Sequence, residues 1–451
     1  MISQDFLSEI AAEHGVSKSE LEVLSLATAG QSTAAIAQSL GISGDAVRKR
    51  LSEVYQKFQI PGRGPVKLTK LQQLLIERYQ AYLETQAALN ESGGNTPTNS
   101  NSAKQYPRVD WGAAPDISVF YGRSEELTAL EQWILEEHCR VVAVLGIAGI
   151  GKTALSVKLA KQLQDRFQFT IWRSLRHAPL LNTLLSDWLH FLSDSQTLAL
   201  AEGTTPRISQ LLDRLRECRC LLILDDVSAI LQSEKLAGHY HSDYEGYSEL
   251  FSRLGEEPHQ SCLIVSSREK PGEIAFLEGE TLPVRSLKLE GLQDGARQIL
   301  QAKGLAGERN WKYLIELYRG NPLALKMVST TVKELFDGNV SEFLKYETLL
   351  VGDIAYLLDQ QFKRLSNLEK ETIYHLTLEG EPVSLASLRQ AISSPLSHSE
   401  LIEVLKSLER RSLIETVKSQ TKAGSAVLFT LQPLVMKHIK ESHLPADLKQ
   451  K

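Results

Sequence analysis

A glycine-rich loop directly after an apolar run constrains this chain more than any other feature. The run VVAVL at 141–145 predicts a buried strand, and residues 146–153 follow it with the sequence GIAGIGKT. A helix-forming sequence, ALSVKLA, comes next and completes the strand, loop and helix order of a phosphate-binding loop. The chain is therefore expected to fold around a site for a nucleoside triphosphate.

The residue types of this loop each predict a role. Glycines let backbone N–H groups approach a polyphosphate, and the start of the following helix faces the anion. Lys152 is expected to reach the terminal phosphates of ATP or ADP, and the Thr153 hydroxyl is expected to hold Mg²⁺. The residues predicted to contact the nucleotide in this loop are Gly146, Gly149, Ile150, Gly151, Lys152, Thr153 and Ala154.

Further strand-like runs predict a parallel sheet around this loop. Apolar runs at 169–172, 221–224 and 262–265 alternate with amphipathic segments, which is typical of a parallel α/β domain. The second run ends in Asp225 and Asp226, so both carboxylates are expected at the sheet edge where the loop opens. We expect Asp225 to support Mg²⁺ and Asp226 to orient the attacking water in phosphoryl transfer.

A basic residue follows the third run. Arg268 stands at the same predicted sheet edge, where its guanidinium could contact a terminal phosphate and report whether that phosphate is present. With Lys152, Asp225 and Asp226 it completes the catalytic set predicted for a slow regulatory ATPase. An enzyme whose purpose is ATP turnover, such as a motor or a kinase, is disfavoured because no acceptor-substrate site or separate kinase signature is present.

The overall composition predicts a cytoplasmic protein. The formal net charge is −5 over 451 residues, and no apolar run approaches membrane-spanning length, so no membrane partner is expected. The four cysteines adjoin apolar runs and lack zinc-ligand spacing, which predicts small buried core residues. The histidines do not predict a metal site either, and those considered are His239, His241, His375 and His438.

The N-terminal region has a separate helical pattern. Its apolar positions predict a trihelical unit in which Gly41 makes the tight turn before a basic helix, and this pattern resembles a LuxR-type helix-turn-helix. In that arrangement the second helix can enter the major groove of double-stranded DNA. Basic side chains outnumber acidic ones between residues 44 and 70, which suits contacts to phosphates. The predicted DNA contacts are Ser43, Arg48, Lys49, Arg50 and Lys57.

Two uses of this N-terminal unit remain open. In the first, the unit binds DNA and the chain is a transcriptional regulator. In the second, the unit recruits a protein effector, for instance in a signalling or defence pathway, because trihelical units also serve as interaction modules. An apolar stripe at helical spacing is expected to pack on this unit or to pair two chains, and it consists of Leu68, Leu71, Leu75, Tyr79 and Tyr82.

The order of elements after residue 119 resembles the NB-ARC family, a group of signal-transduction ATPases in the STAND branch of the AAA+ class. The resemblance is carried by FYGR at 120–123, WRSL at 172–175 and GNPL at 320–323. It implies that a helical domain and a winged helix close over ADP and hold the protein inactive until ATP replaces it. The residues that the resemblance adds to the nucleotide site are Tyr121, Gly122, Arg123, Pro322 and Gln432.

One of these positions departs from the family pattern. The Met-His-Asp signature of the family falls on Leu431, Gln432 and Pro433, so a glutamine replaces the histidine that touches the β-phosphate of ADP. An amide can still donate one hydrogen bond, and Gln432 is therefore kept in the predicted site.

These features predict a multidomain chain with an all-α N-terminal domain, a central α/β domain and a C-terminal helical and winged-helix region. The expected function is an ATP/ADP-switched regulator whose nucleotide state controls its conformation and self-association. The predicted segments are a helix-turn-helix domain with a trailing helix at 1–90, a flexible linker at 91–118, a phosphate-loop domain at 119–284, a helical lid at 285–350 and a winged helix at 351–451.

Overall fold

Two separate units make up the chain in the computed structural model, residues 1–103 and residues 104–451. The predicted helix-turn-helix and the predicted nucleotide-binding region fall in different units. The residues that the structure describes are 10, 14–28, 33–58, 60, 67, 71, 75, 78, 107–193, 199–346, 352–392, 396–421 and 424–445.

The N-terminal unit contains the predicted helix-turn-helix. Its helices are α1 (Lys18–Thr28), α2 (Thr33–Leu40) and α3 (Gly44–Lys57). Gly41 takes a φ of +63° in the turn between α2 and α3, a conformation that favours glycine. The Ser43 hydroxyl caps α3 by accepting from the Ala46 amide at 3.2 Å. From the apolar stripe, Leu71 and Leu75 are buried in the core of this unit, whereas Leu68, Tyr79 and Tyr82 lie outside the described residues.

A parallel sheet forms the centre of the second unit and confirms the predicted α/β class. Its described strands, in spatial order, are β1 (Arg108–Asp110), β3 (Phe169–Ser174), β4 (Cys220–Asp225), β5 (Cys262–Ser267), β2 (Val141–Leu145) and β6 (Val284–Lys288). The helices around it are α4 (Ser124–Leu135), α5 (Lys152–Leu163), α6 (Leu181–Leu192), α7 (Thr204–Glu217), α8 (Gly246–Glu256) and α9 (Gly272–Leu277). Strands β2, β4 and β5 are buried along their whole length because apolar cores cover both faces of the sheet.

The two outer strands correct the predicted domain boundaries. β1 lies inside the segment predicted as a linker, 91–118, and pairs in parallel with β3. The Arg173 guanidinium on β3 binds Asp110 on β1 at 2.6 Å, so residues 108–110 are held at the edge of the sheet. The boundary predicted after residue 284 is also wrong because it cuts β6, whose sequence VRSLK contains no continuous apolar run.

Two smaller subdomains follow the sheet within the second unit. The helical subdomain consists of α10 (Asp294–Ala302), α11 (Trp311–Leu317), α12 (Pro322–Leu335) and α13 (Val340–Leu344). The C-terminal subdomain has helices α14 (Gly352–Lys363), α15 (Asn367–Glu379), α16 (Leu385–Ala391), α17 (His398–Arg410) and α18 (Pro433–His438) with the antiparallel strands β7 (Val383–Ser384), β8 (Ile414–Thr421) and β9 (Gly424–Leu431). From α15 onwards, the elements follow in the order helix, strand, helix, helix and hairpin.

Helix α14 joins the cores of these two subdomains. Ile354 packs into the core of the helical subdomain, Phe362 packs into the core of the C-terminal subdomain, and Leu358 contacts both. A movement of the C-terminal subdomain therefore has to be accommodated along this helix or at its ends.

Three of the four cysteines are buried as predicted. Cys139, Cys220 and Cys262 are buried, Cys218 is half-buried, and all four are free thiols. Among the described residues, no helix combines the length and the apolar character that crossing a membrane requires.

Candidate functional site

The glycine-rich loop joins β2 to α5 as predicted. Gly146, Gly149 and Gly151 have φ angles of 147°, 76° and 104°, which favour glycine. A Cβ at Gly149 would lie 2.7 Å from the Leu323 side chain of the helical subdomain. The loop therefore depends on glycine both for its backbone shape and for close contact with its neighbour. Ile150 is buried behind the loop, and Ala154 lies on the first turn of α5.

Lys152 is folded back onto this loop. Its ammonium donates to the carbonyls of Gly146 at 2.8 Å and Ile147 at 2.9 Å. Burial and the nearby Arg268 lower its pKa to about 8, against the opposing influence of Asp226 and Asp225. Bringing a polyphosphate to this ammonium would favour its charged form.

Thr153 and Asp225 meet at the sheet edge and fit the predicted magnesium site. The Thr153 hydroxyl donates to Asp225 Oδ1 at 2.8 Å, and the Ser266 hydroxyl donates to the same oxygen. Burial raises the pKa of Asp225, although both hydroxyl bonds oppose that shift. Hydroxyl and carboxylate oxygens are the donors that Mg²⁺ prefers, so Thr153 and Asp225 would hold it beside a bound phosphate.

Asp226 and Arg268 face each other beside this pair. Asp226 adopts a left-handed backbone with a φ of 58°, which turns the chain immediately after β4. Its Oδ1 accepts from the Ser228 hydroxyl at 2.8 Å and from Arg268 at 3.4 Å. The order of strands explains this contact, because β5 lies between β2 and β4 and delivers Arg268 between the loop and the two aspartates.

The Arg123 side chain is bound to other parts of the protein. Its guanidinium donates to the carbonyls of Ile150 at 3.1 Å and Glu290 at 2.6 Å, and it pairs with Glu126 at 2.6 Å. Arg123 thus ties the phosphate loop to the segment that follows β6. Its neighbours also lie at this junction: a Cβ at Gly122 would meet the Leu292 side chain, and Tyr121 packs against the core of the helical subdomain.

The start of α12 lies directly over the loop. Asn321 caps this helix, and its side-chain amide donates to the Ala148 carbonyl at 2.9 Å. Pro322 is the first residue of α12, and its ring lies 4.0 Å from the position of a Cβ at Gly151. The GNPL segment thus brings the helical subdomain onto the phosphate loop.

A cavity of about 620 Å³ opens beside the loop. Ile147 and Ile150 line it on the loop side, and Gln432 lines it from the C-terminal subdomain. Its wall also carries Arg319, which pairs with Glu415 at 2.9 Å between the helical and C-terminal subdomains. The volume is in the range of small-molecule sites, and three subdomains enclose it. Gln432 thus lines the cavity beside the loop, and its contact with a nucleotide stays a prediction.

A buried charge network next to the site was not predicted from the sequence. Arg411 of the C-terminal subdomain binds Glu269 at 2.6 Å and Glu369 at 2.9 Å, and it donates to the Lys235 carbonyl at 2.7 Å. Glu269 directly follows Arg268 in the chain. Arg411 and Glu269 are 142 residues apart, so the sequence did not indicate their pairing. Its only hint was that Glu269 stands next to the predicted site residue Arg268.

The predicted DNA contacts lie on α3 and at its start, but several are engaged within their own unit. Arg48 pairs with Asp45 at 2.6 Å on the exposed surface, and Ser43 serves as the helix cap. Lys57 binds both carboxylate oxygens of Glu20, at 2.6 and 2.8 Å. Lys49 is exposed and Arg50 is half-buried on the same helix.

Two family descriptions match this chain. Residues 123–252 match the NB-ARC domain, and residues 14–66 match the bacterial regulatory proteins of the luxR family.

Two curated relatives align with more than half of this chain. An uncharacterized WD repeat-containing protein of Nostoc sp. is 42% identical over 83% of this chain and 31% of its own length. The disease resistance protein RRS1 of Arabidopsis thaliana is 28% identical over 54% of this chain and 18% of its own length. The chain thus spans about a third or less of these relatives.

Two of the solved structures that match this chain come from Pyrococcus species. A STAND signal transduction ATPase with a tetratricopeptide repeat sensor from Pyrococcus horikoshii covers 74% of this chain and 44% of its own, with 19% identity and a TM-score of 0.38. A Walker-type ATPase of Pyrococcus abyssi covers 71% of this chain and 96% of its own, with 15% identity and a TM-score of 0.47. By these matches, the chain contains an NB-ARC domain at residues 123–252 and, earlier in the sequence, a segment of the luxR regulatory family at residues 14–66.

Proposed function

We propose that this chain is a cytoplasmic regulator that binds ADP or ATP with Mg²⁺ at residues 146–153 and changes the packing of its subdomains with the nucleotide. Lys152 binds the terminal phosphates, Thr153 and Asp225 hold the metal, and Asp226 orients the water of a slow hydrolysis that resets the protein. In the arrangement described above, the helical and C-terminal subdomains lie over the loop, and we assign this packing to the ADP-bound resting state.

One observation carries this proposal: Arg268 and Glu269 are neighbours in the chain but bind different subdomains. Arg268 contacts Asp226 within the site at 3.4 Å, and Glu269 binds Arg411 of the C-terminal subdomain at 2.6 Å. A γ-phosphate that draws Arg268 away from Asp226 would displace the backbone that positions Glu269. Only a ligand with different contacts in two packings can shift their balance, and the γ-phosphate has that property.

The output of this switch is proposed to be double-stranded DNA, bound by α3 of the N-terminal unit. The match to the luxR family and the exposed Lys49 support this assignment. Release of the C-terminal subdomain would permit two chains to associate, so that two N-terminal units bind two half-sites.

A protein effector is the second candidate for this output. The observation that favours it is the engagement of Arg48 by Asp45 and of Lys57 by Glu20, which leaves less free positive charge for phosphates. In that case the N-terminal unit recruits its partner through α3 without contacting DNA.

Selection from a random duplex DNA library tests the proposal. The full chain is bound with Mg²⁺ and either ADP or a non-hydrolysable ATP analogue, at two salt concentrations. We expect sequence-selective retention that differs between the two nucleotides. The double variant Lys49→Glu, Arg50→Glu should abolish retention, whereas Lys18→Glu on the exposed face of α1 is the matched charge-reversal control. No retention of the wild-type chain in either state favours the protein effector.

A further inference from the structure

Two histidines and an aspartate converge in the C-terminal subdomain, away from the phosphate loop. Asp359 Oδ1 on α14 lies 2.9 Å from Nε2 of His438 and 2.7 Å from Nε2 of His443. One potential ligand atom from each residue lies within 4.8 Å of the other two. The sequence did not predict this cluster because Asp359 is 79 residues from its nearer partner.

A π-helical turn brings the two histidines together. The chain leaves α18 at His438 and continues as a π-helix over Ile439–His443. Residues five apart lie on different faces of an α-helix, but a π-helix has a wider turn and places them on nearly the same face. Single π turns are rare and are frequently found at functional sites. The local backbone is thus arranged so that both imidazoles reach one carboxylate.

We propose that Asp359, His438 and His443 form a binding site for a divalent transition metal, with Zn²⁺ as the best-suited ion. Two imidazoles and one carboxylate are a common protein ligand set for Zn²⁺, and a water molecule would complete four-coordination. Donor atoms around a tetrahedral zinc lie roughly 3.3 Å apart, given metal–ligand bonds of about 2.0–2.1 Å. Small side-chain rotations from the observed 2.7 and 2.9 Å contacts are sufficient to admit the ion.

The surroundings support a site that is partly preorganised and open to the ion. The imidazole of His443 packs on Phe362 with ring centroids 4.2 Å apart, which restricts its orientation. The His438 side chain is 1% exposed, whereas His443 and Asp359 are 23% and 34% exposed. Two accessible ligands provide a route for the metal, and the buried histidine provides a fixed anchor.

One feature limits the expected affinity. In the metal-free cluster the acceptor Asp359 favours protonation of both histidines at Nε2, and Nδ1 of His438 is buried without a partner among the described residues. Metal binding through Nε2 would move the proton of His438 to that unpartnered atom. Metal-ligating histidines normally donate this second proton to an acceptor, and loss of such a bond costs about 10- to 100-fold in affinity. We therefore expect a dissociation constant on the order of micromolar.

The metal would fasten α14 to the π turn. Because α14 also packs into the helical subdomain, a bound ion would stiffen the connection between the two subdomains. This effect does not depend on the nucleotide, so the metal site is testable separately from the proposed switch.

Titration of the untagged, chelator-stripped full chain with Zn²⁺, and with Co²⁺ as a spectroscopic probe, tests the proposal. Excess Mg²⁺ is present throughout to occupy the oxygen ligands at Thr153 and Asp225. We expect one ion per chain, visible Co²⁺ bands typical of low coordination number, and a higher melting temperature with Zn²⁺. His443→Gln and Asp359→Asn should each weaken binding at least about tenfold, because each removes a direct ligand.

His398→Gln is the matched control, since this histidine is exposed in the same subdomain. Asp359→Asn keeps a hydrogen-bond acceptor, so it separates loss of the ligand from loss of folding. Three results would overturn the proposal. They are no binding by the wild-type chain at metal concentrations up to about 100 µM, unchanged affinity in both ligand variants, or a thiolate charge-transfer band that places the metal on cysteine.

Discussion

Arg411 and Glu269 form a buried ion pair between the C-terminal subdomain and the strand end that carries Arg268. Their Nη1 and Oε2 atoms are 2.6 Å apart, and their side chains are 5% and 2% exposed. The other oxygen of Glu269 accepts from the Gly238 amide at 2.7 Å. The direct contact between Arg411 and Glu269 therefore exists only while the C-terminal subdomain stays docked on the nucleotide-binding sheet.

Removing the cation of this pair should release the C-terminal subdomain. Arg411→Met leaves the buried Glu369 without its cation and leaves Glu269 only the longer contact with Arg364, at 3.5 Å. Breaking a buried pair in this way costs about 3–5 kcal/mol. The Ala237 amide reports the docked state, because it donates to the Ser407 hydroxyl at 2.6 Å across the same boundary. We expect faster hydrogen exchange at Ala237 and faster dissociation of ADP.

Arg389→Met is the control for this experiment, since it removes an exposed arginine from the same subdomain. Unchanged exchange at Ala237 in Arg411→Met would contradict the role given to the pair.

The affinity for ADP should depend on pH through Lys152. Its pKa is about 8 because of burial and Arg268. In the proposed site, the phosphates bind the charged form of this ammonium. Below pH 8 the ammonium is already protonated, whereas above pH 8 binding must first add a proton. We therefore expect the affinity to fall about tenfold between pH 7 and pH 9. Lys152→Arg should remove this dependence, because guanidinium does not titrate in that range; an equal fall in both proteins would show that another group titrates.

Lys152 and Asp226 should separate nucleotide binding from hydrolysis. Lys152→Ala removes a charge that contacts the phosphates and should weaken binding of ADP and ATP alike. Asp226→Asn keeps the size and polarity of the side chain but loses the charge that orients water, so ATP should be retained and its hydrolysis slowed by about 10²-fold or more. Binding constants and single-turnover rates measure the two effects. Equal losses of binding in both variants would contradict this division of roles.

The N-terminal unit should owe part of its stability to Glu20. Burial raises the carboxyl pKa, but Lys57 and Ser17 outweigh that effect and bring the pKa to about 2, below its usual 4.5. The stabilisation is therefore complete above pH 4.5 and is lost as the pH falls toward 2. Glu20→Gln should destabilise the unit by about 1.5–3 kcal/mol at neutral pH.

Pepsin cleavage of the full chain between residues 18 and 57 measures this effect. Glu20→Gln should be cleaved faster than wild type at pH 4.5, and the difference should close toward pH 2. Glu22→Gln changes an exposed carboxyl on the same helix and serves as the control. A difference that stays constant over this pH range would exclude the pair with Lys57 as its source.

Local patterns in the sequence predicted the centre of the fold and the phosphate loop. β3, β4 and β5 were visible because central parallel strands are continuous apolar runs, and the loop was visible because glycine, lysine and threonine are required at fixed positions. β1 and β6 were missed because they are outer strands with polar residues and partial exposure. Periodicity alone does not distinguish such segments from loops.

Long-range side-chain pairs could not be read from the sequence. Arg411 with Glu269, Asp359 with His438 and Glu20 with Lys57 are separated by 142, 79 and 37 residues. Each residue alone is compatible with an ordinary surface position. The pairs arise from the packing of subdomains and helices, which composition and spacing do not specify.

Hydrogen exchange at Ala237 and Gly238 tests the central claim most directly. Both amides donate across the boundary with the C-terminal subdomain or to the glutamate that binds it. The measurement compares the wild-type chain saturated with ADP against the same chain saturated with Mg²⁺ and a non-hydrolysable ATP analogue. The account predicts slow exchange with ADP and markedly faster exchange with the ATP analogue. Equal protection in the two saturated states would contradict a nucleotide-controlled release of the C-terminal subdomain.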